Sequence, residues 1–222
     1  MNTLTFPFTR VLRHRSARLA LFGWCAIALV MAFLARGRGD GSTHVLLGGY
    51  SRFALPLLCF AVVSAVSGRR LFVSAIEPLT LLGASRVRAS AFTHLGTMMC
   101  TAFYAAILGV LVVLVSHGSS DPPLGHDLFV TCWVSALGAA AYASFFFAGS
   151  TLFGNFGRTL FLILDFILGA GDTTSALLVP RGHIRSLLGG SDVLTLSQHG
   201  SIGALFAITT FFFLFTLLRA RR

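Results

Sequence analysis

The chain has 222 residues, 55% of them hydrophobic and only 11% charged, with a mean hydropathy of +0.84. Soluble domains carry nearer a quarter charged residues, so this composition excludes one and reads as an integral membrane protein. The formal charge is +10 and all 17 basic residues are arginine, yet they cluster at the ends of apolar runs, which points to a lipid surface and not to nucleic acid.

In residues 1–18, MNTLTFPFTRVLRHRSAR, Phe6, Phe8, Val11 and Leu12 interleave with Arg10, Arg13, Arg15 and Arg18. This predicts an interfacial helix and not a cleaved signal, because the apolar run behind it is long and lacks a small-residue cleavage site. Six spans are predicted, over 19–35, 45–67, 89–115, 128–153, 159–179 and 201–218, against the roughly 20 residues needed to cross a ~30 Å core. The second is firmly apolar only from Phe53, and starting it at Val45 brings Arg52 to the membrane. In the fourth, Ala136, Ala140, Ser144 and Ala148 recur every four residues, the spacing that lets helices approach closely in lipid. The fifth is apolar over 159–171 but interrupted by Asp165, so it either needs 172–179 to be completed or is a span that ends early. A charged carboxylate in that setting does not face lipid. Asp165 either ties the fold to a neighbouring helix or lines a pathway or subunit interface. Residues 172–200 read as a partly buried hairpin or a pair of short helices before the last span.

The segment 68–88, GRRLFVSAIEPLTLLGASRVR, is the one long basic interruption with an ordered pattern of its own. Arg69 and Arg70 open it, Arg86 and Arg88 close it, and between them lies the only glutamate, Glu77, followed by Pro78. A basic amphipathic segment between two spans belongs at the cytoplasmic surface, where it can dock a soluble partner. Six spans put both termini on one side. With the termini cytoplasmic, that side holds Arg10, 13, 15, 18, 69, 70, 86, 88, 158, 219, 221 and 222, against Arg36, 38, 52, 181 and 185 on the other, while Asp40, Asp121, Asp172 and Asp192 fall outside. The positive-inside rule favours this orientation.

A phosphate-binding GxxxxGK[ST] loop needs a lysine, and this chain has none, so any ATP-driven work requires another polypeptide. Cys25, Cys59, Cys100 and Cys132 sit in different apolar runs and read as packing residues; no metal or cofactor is expected. An intramembrane protease would need a serine and a histidine facing each other. Ser135, Ser144 and Ser150 share no span with a histidine, and His94 has no glycine-flanked serine at a matching depth. The seven carboxylates are dispersed, against a metal-dependent lipid transferase, and no inverted repeat relates the two halves. An intramembrane enzyme, a secondary transporter or a membrane scaffold remains the alternative to a transport subunit.

The order of elements resembles the ABC-2 (type V exporter-like) permease subunit: a basic interfacial helix, two spans, a basic cytoplasmic segment, three spans, short outer helices and a final span. Glu77, Leu79, Leu81-Leu82 and Ser85-Arg86 stand where that family carries a glutamate-led coupling helix and a short run into the third span. Pro78 directly after the glutamate, and Gly83-Ala84 where the family has a proline before Ser-Arg, depart from the pattern. The resemblance implies an all-α polytopic fold that is not itself an enzyme and forms half of an export pathway in the bacterial inner membrane. It implies a second permease subunit, identical or different, and a cytoplasmic ABC ATPase contacted through Glu77, Pro78, Leu81, Leu82, Arg86 and Arg88. Spans of Phe, Ala and Leu without a polar ring fit an apolar or amphipathic cargo.

Overall fold

The structure, a computed structural model, describes residues 6–68, 71–81, 83–119 and 121–221. Among them it is all-helical: α1 (Phe6–Arg13), α2 (Arg15–Arg38), α3 (Ser42–Val45), a π-helical stretch (Leu46–Ala54), α4 (Leu55–Ser67), α5 (Phe72–Leu81), α6 (Arg86–Ser116), α7 (Leu124–Leu168), a 3₁₀ turn (Thr174–Leu178), α8 (Pro180–Leu187) and α9 (Gln198–Ala220). Only helices and closed barrels satisfy every backbone polar group in hydrocarbon, and this chain uses the first solution. Among the described residues, five helical stretches are long and apolar enough to cross a membrane: Arg15–Arg38, Ser42–Ser67, Arg86–Ser116, Leu124–Leu168 and Gln198–Ala220.

The second of these begins earlier than the sequence predicts, at Ser42. Arg52 therefore lies inside a helix, but its side chain is exposed and its backbone carbonyl is served from elsewhere. The carbonyl four residues before a proline gets no N–H from it. Pro56 stands in that relation to Arg52, and Arg181 Nη2 donates to the Arg52 carbonyl at 2.7 Å.

A straight helix of 45 residues would be about 68 Å long, twice a membrane. α7 is not straight. Phe153 and Gly154 leave helical geometry, Gly154 with φ +60° and ψ −131°, and the chain folds back. Phe145 and Phe161 would be about 24 Å apart along one straight helix, yet their ring centroids lie 4.7 Å apart. Tyr142 meets Asp165, and Gly149 meets the backbone of Gly157. α7 is thus two antiparallel arms, 124–152 and 155–168. The reversal is tighter than the gap left between the fourth and fifth predicted spans, 154–158, with Asn155 to Arg158 already helical. The expected completion of the fifth span through 172–179 does not form as one helix: α7 ends at Leu168 and the 3₁₀ turn and α8 follow, the latter almost wholly buried.

The first arm of α7 is the centre of the bundle. Residues 141–151 are buried on every face, the mark of a helix enclosed by others. Small side chains let neighbours in: Ile184 of α8 comes so close to Gly138 that a Cβ there would meet its Cδ1 at 2.7 Å. Phe146 and Phe147 fill the gaps against Phe60 and Phe72. Hydroxyls inside the spans fold back on their own helices, as Thr97 to the Thr93 carbonyl and Ser150 to the Phe146 carbonyl, which satisfies them without water. α2 is peripheral, burying only Ala17, Ala28 and Ala32.

Charge divides between the two ends of the bundle. One end carries α1, α5, the start of α6, the reversal of α7 and the end of α9, with Arg10, Arg13, Arg15, Arg18, Arg86, Arg88, Arg158, Arg219 and Arg221 against a single carboxylate, Glu77. Every ion pair among the described residues lies at the other end or next to it: His44–Asp40, His117 with Asp121 and Asp127, Arg181–Asp165 and Arg185–Asp172.

At that other end Asp121 acts as a cap supplied from a distance. Its Oδ2 accepts the N–H groups of Ser42 at 2.9 Å and Gly118 at 2.8 Å, which pins the start of α3 to the loop before α7. Burial pushes this carboxyl up, but the N–H donors, the Ser42 hydroxyl and His117 outweigh it and hold it below 3.8. A depressed folded-state value contributes stability above the unfolded value, and that contribution is lost as pH falls through the folded one. Unfolding followed in detergent should therefore show stability dropping below pH 3.8, with a smaller drop in Asp121→Asn. Identical acid profiles for the two proteins would remove Asp121 from this role.

Candidate functional site

α5 lies across the basic end as an amphipathic helix. Phe72, Ala75, Ile76 and Leu79, at i, i+3, i+4 and i+7, are buried, with the Phe72 ring 4.7 Å from that of Phe147. The opposite stripe of Ser74, Glu77, Pro78 and Leu81 is exposed, Leu81 at 83%. An exposed leucine beside a lone carboxylate, on a helix already packed through its other face, leaves a small apolar-acidic surface free. Pro78 lies inside the helix and removes one N–H from its ladder. Thr80 returns its hydroxyl to the Glu77 carbonyl at 2.8 Å.

The helix then stops cleanly. Gly83 takes φ +90°, and the N–H of Ala84 closes back on the Leu79 carbonyl at 3.2 Å, a glycine-terminated cap. Ser85 opens α6 by accepting the Arg88 N–H, and Arg86 and Arg88 stand exposed beside it. Glu77, Pro78, Leu81, Arg86 and Arg88 are all exposed. Leu82, Arg69 and Arg70 lie outside the described residues.

Asp165 is fully buried and faces the inside of the bundle. Its Oδ2 accepts from Tyr142 Oη at 3.0 Å and from Arg181 Nε at 3.1 Å, while Oδ1 accepts the Arg181 backbone N–H at 3.2 Å. Arg181, itself 5% exposed, also lies 3.8 Å over the Phe166 ring. Three elements meet here: both arms of α7 and the first turn of α8. The carboxylate sits at the N-terminus of α8, where helix dipole and charge act together. Sequence reasoning singled out Asp165 but left Arg181 in an outer loop. A carboxylate inside an apolar run needs a cation, and Arg181, behind the apolar Leu177-Leu178-Val179, was the nearest one downstream.

At the basic end the first turn of the second arm of α7 carries Arg158, 1% exposed. Its Nη1 donates to the hydroxyls of Ser67 and Ser150, and its Nη2 to the Gly68 carbonyl and Asn155 Oδ1. Those bonds clamp the end of α4 to the α7 reversal. All four acceptors are neutral.

A third polar contact joins His94 of α6 to Ser144 of α7, with Nε2 and Oγ 3.1 Å apart and both residues fully buried. The sequence does not pair them, being 50 positions apart on separate spans. The arrangement does not have the features of a nucleophilic site: the His94 ring is closed in by Phe147 at 4.6 Å and Phe213 at 4.9 Å, and Nδ1 has no partner to orient it. Both side chains are shut off from solvent, and the contact joins α6 to α7 within the bundle. Among the described residues no three His, Cys, Asp or Glu side chains gather as a metal site. No protein-family model, curated protein or solved structure matches the chain.

Proposed function

We propose that the chain is the membrane-spanning subunit of an ATP-driven ABC exporter of the ABC-2 type, forming half of a transport pathway and docking a separate ATPase through α5. The observation that carries this reading is the surface on α5: a helix fixed by one face to the basic end of the bundle, with Glu77, Pro78 and Leu81 presented outward ahead of the exposed Arg86 and Arg88. A helix so anchored transmits a push on its outer face into α4, α6 and α7, against which it packs.

In this reading the two arms of α7 are separate spans, which makes six and places both termini with α5 in the cytoplasm of a bacterial inner-membrane protein. The excess of arginine at that end agrees with the positive-inside rule. α2 and the second arm of α7, with Phe22, Phe33, Phe156 and Ile163 exposed, are the surfaces offered to a second permease subunit, identical or different. The cargo would be apolar or amphipathic.

The test is biochemical. The tagged chain, extracted in mild detergent, should bring with it a soluble subunit carrying a Walker A loop and ATPase activity. Leu81→Asp puts a charge on the exposed face without touching the packed one, and should weaken that association at least tenfold. Glu77→Ala should keep the partner bound but lower the ATPase stimulation it receives from the permease. A chain that comes out with no ATPase, or two variants indistinguishable from wild type, would sink the assignment.

A further inference from the structure

We propose that the basic end of this protein holds an anionic membrane phospholipid in a built site between α1, α2, α4 and the second arm of α7. The reading does not depend on any ATPase partner. A cavity of about 620 Å³ opens there, large enough for a headgroup and the first part of its chains. Trp24, Leu57, Phe60 and Leu162 form its apolar wall, and Arg10 and Arg158 are the charged groups of its polar wall. Among the described residues no carboxylate lines it.

Arg158 is the reason to expect an anion. A guanidinium carries five N–H donors and cannot give up its charge. Four of its bonds go to neutral oxygens, and Nε is buried with no acceptor. Among the described residues no carboxylate pairs with it, nor with Arg10, which donates only to the Val66 carbonyl. A buried charge left without a counter-charge is costly, and at short range in a poorly polarisable setting that cost is met by an anion close by. Ser64, also on the cavity wall, has a buried hydroxyl without a partner.

The chemistry of the occupant follows from the two walls. An inorganic anion would meet the arginines and leave the apolar wall bare; a hydrocarbon would do the reverse. A phosphodiester headgroup with acyl chains meets both, and basic pockets between spans on the cytoplasmic side suit such lipids. The whole basic end repeats the argument at larger scale, since its nine described arginines face a single carboxylate, Glu77.

The experiment uses native mass spectrometry of the full chain released from detergent, with phosphatidylglycerol or phosphatidylcholine of the same acyl chains added. Wild type should retain one phosphatidylglycerol at least about tenfold more strongly than phosphatidylcholine, the scale of a charge-assisted contact. Arg158→Gln should lose that preference. Because Arg158 also clamps α4 to α7, the deciding variant is Ala61→Phe, which fills the cavity and leaves the Arg158 bonds in place; it too should lose the bound lipid. Arg86→Gln, an exposed arginine outside the cavity, should keep it. Equal retention of the two lipids by wild type overturns the proposal, as does retention by Ala61→Phe. Loss of a dimer in Ala61→Phe with lipid binding unchanged would mean that a second copy covers the cavity, and would overturn it as well.

Discussion

Asp165→Leu should lower the stability of the folded chain by about 3–5 kcal/mol, the cost of removing one partner from a buried ion pair. The substitution leaves Arg181 buried with its charge unanswered, and leaves the hydroxyl of Tyr142 without its acceptor. Asp165→Asn should fall between. A single amide oxygen can stand at the Oδ2 position and serve Tyr142 and Arg181 Nε, but the amide nitrogen then faces the Arg181 backbone N–H, donor against donor. Arg181→Met should cost as much as Asp165→Leu, because it strands the carboxylate and also the Arg52 carbonyl, which Pro56 has no N–H to satisfy. The informative protein is the double variant Asp165→Leu/Arg181→Met. Replacing both halves of a buried pair with apolar side chains is often close to neutral, so the double variant should recover most of the loss and retain only the cost of the bare Arg52 carbonyl. The midpoint of unfolding in mixed micelles of increasing denaturing detergent measures all four. If the double variant were as unstable as the sum of the singles, the two residues would not be coupled and the pair would be incidental to the fold.

That cluster also marks how far the sequence could be read. Membrane residence and four of the apolar stretches follow from hydropathy alone, because in lipid the requirement for an unbroken apolar run of fixed length leaves few other solutions. The segment 68–88 was equally legible: the spacing of Phe72, Ala75, Ile76 and Leu79 is a helical stripe, and Gly83 with Ser85 marks its end and the next beginning. The second stretch starts at Ser42, three residues before the Val45 start read from the sequence, and it keeps Arg52 inside it because a long cationic side chain can reach out of a helix whose backbone stays inside. Of the two readings of the fifth span, the short one holds: Asp165 is the group that draws α8 back onto α7, and Gly169 lies against the Arg181 side chain where the helix stops. Contacts such as His94 with Ser144, or Arg158 with Ser67, depend on which helices become neighbours. Nothing local in the chain encodes that choice; it emerges from the packing of small residues on α7.

Gly157→Ala should destabilise the chain by about 3 kcal/mol, the upper end of what forcing one methyl group into a filled space costs. The reason lies in what the methyl would meet. A Cβ on Gly157 would collide with the carbonyl oxygen of Gly149 and lie 2.8 Å from its carbonyl carbon, and one on Gly149 would lie 2.7 Å from the Gly157 oxygen. Both obstacles are backbone, so no rotamer change relieves them. Relief requires the two arms of α7 to separate at their tightest point, four residues either side of the reversal. Separation there weakens the Phe145–Phe161 contact next along the hairpin and shifts Arg158, the residue after Gly157, from Ser67 and Gly68, the two acceptors at the end of α4. The loss should therefore reach the clamp at the basic end as well as the hairpin. Gly203→Ala provides the matching control, since a Cβ on Gly203 meets nothing within 4 Å and alanine is the better helix former; it should be neutral or slightly stabilising. A cysteine pair placed at positions 145 and 161 reports the hairpin directly, because the two positions are in contact only if the arms are antiparallel. Ready disulfide formation in the otherwise unaltered chain, slowed by Gly157→Ala and unchanged by Gly203→Ala, is the expected result. Failure of the pair to cross-link at all would mean that α7 runs on without reversing, and with it would go the placement of Arg158 and Asp165 at opposite ends of the second arm.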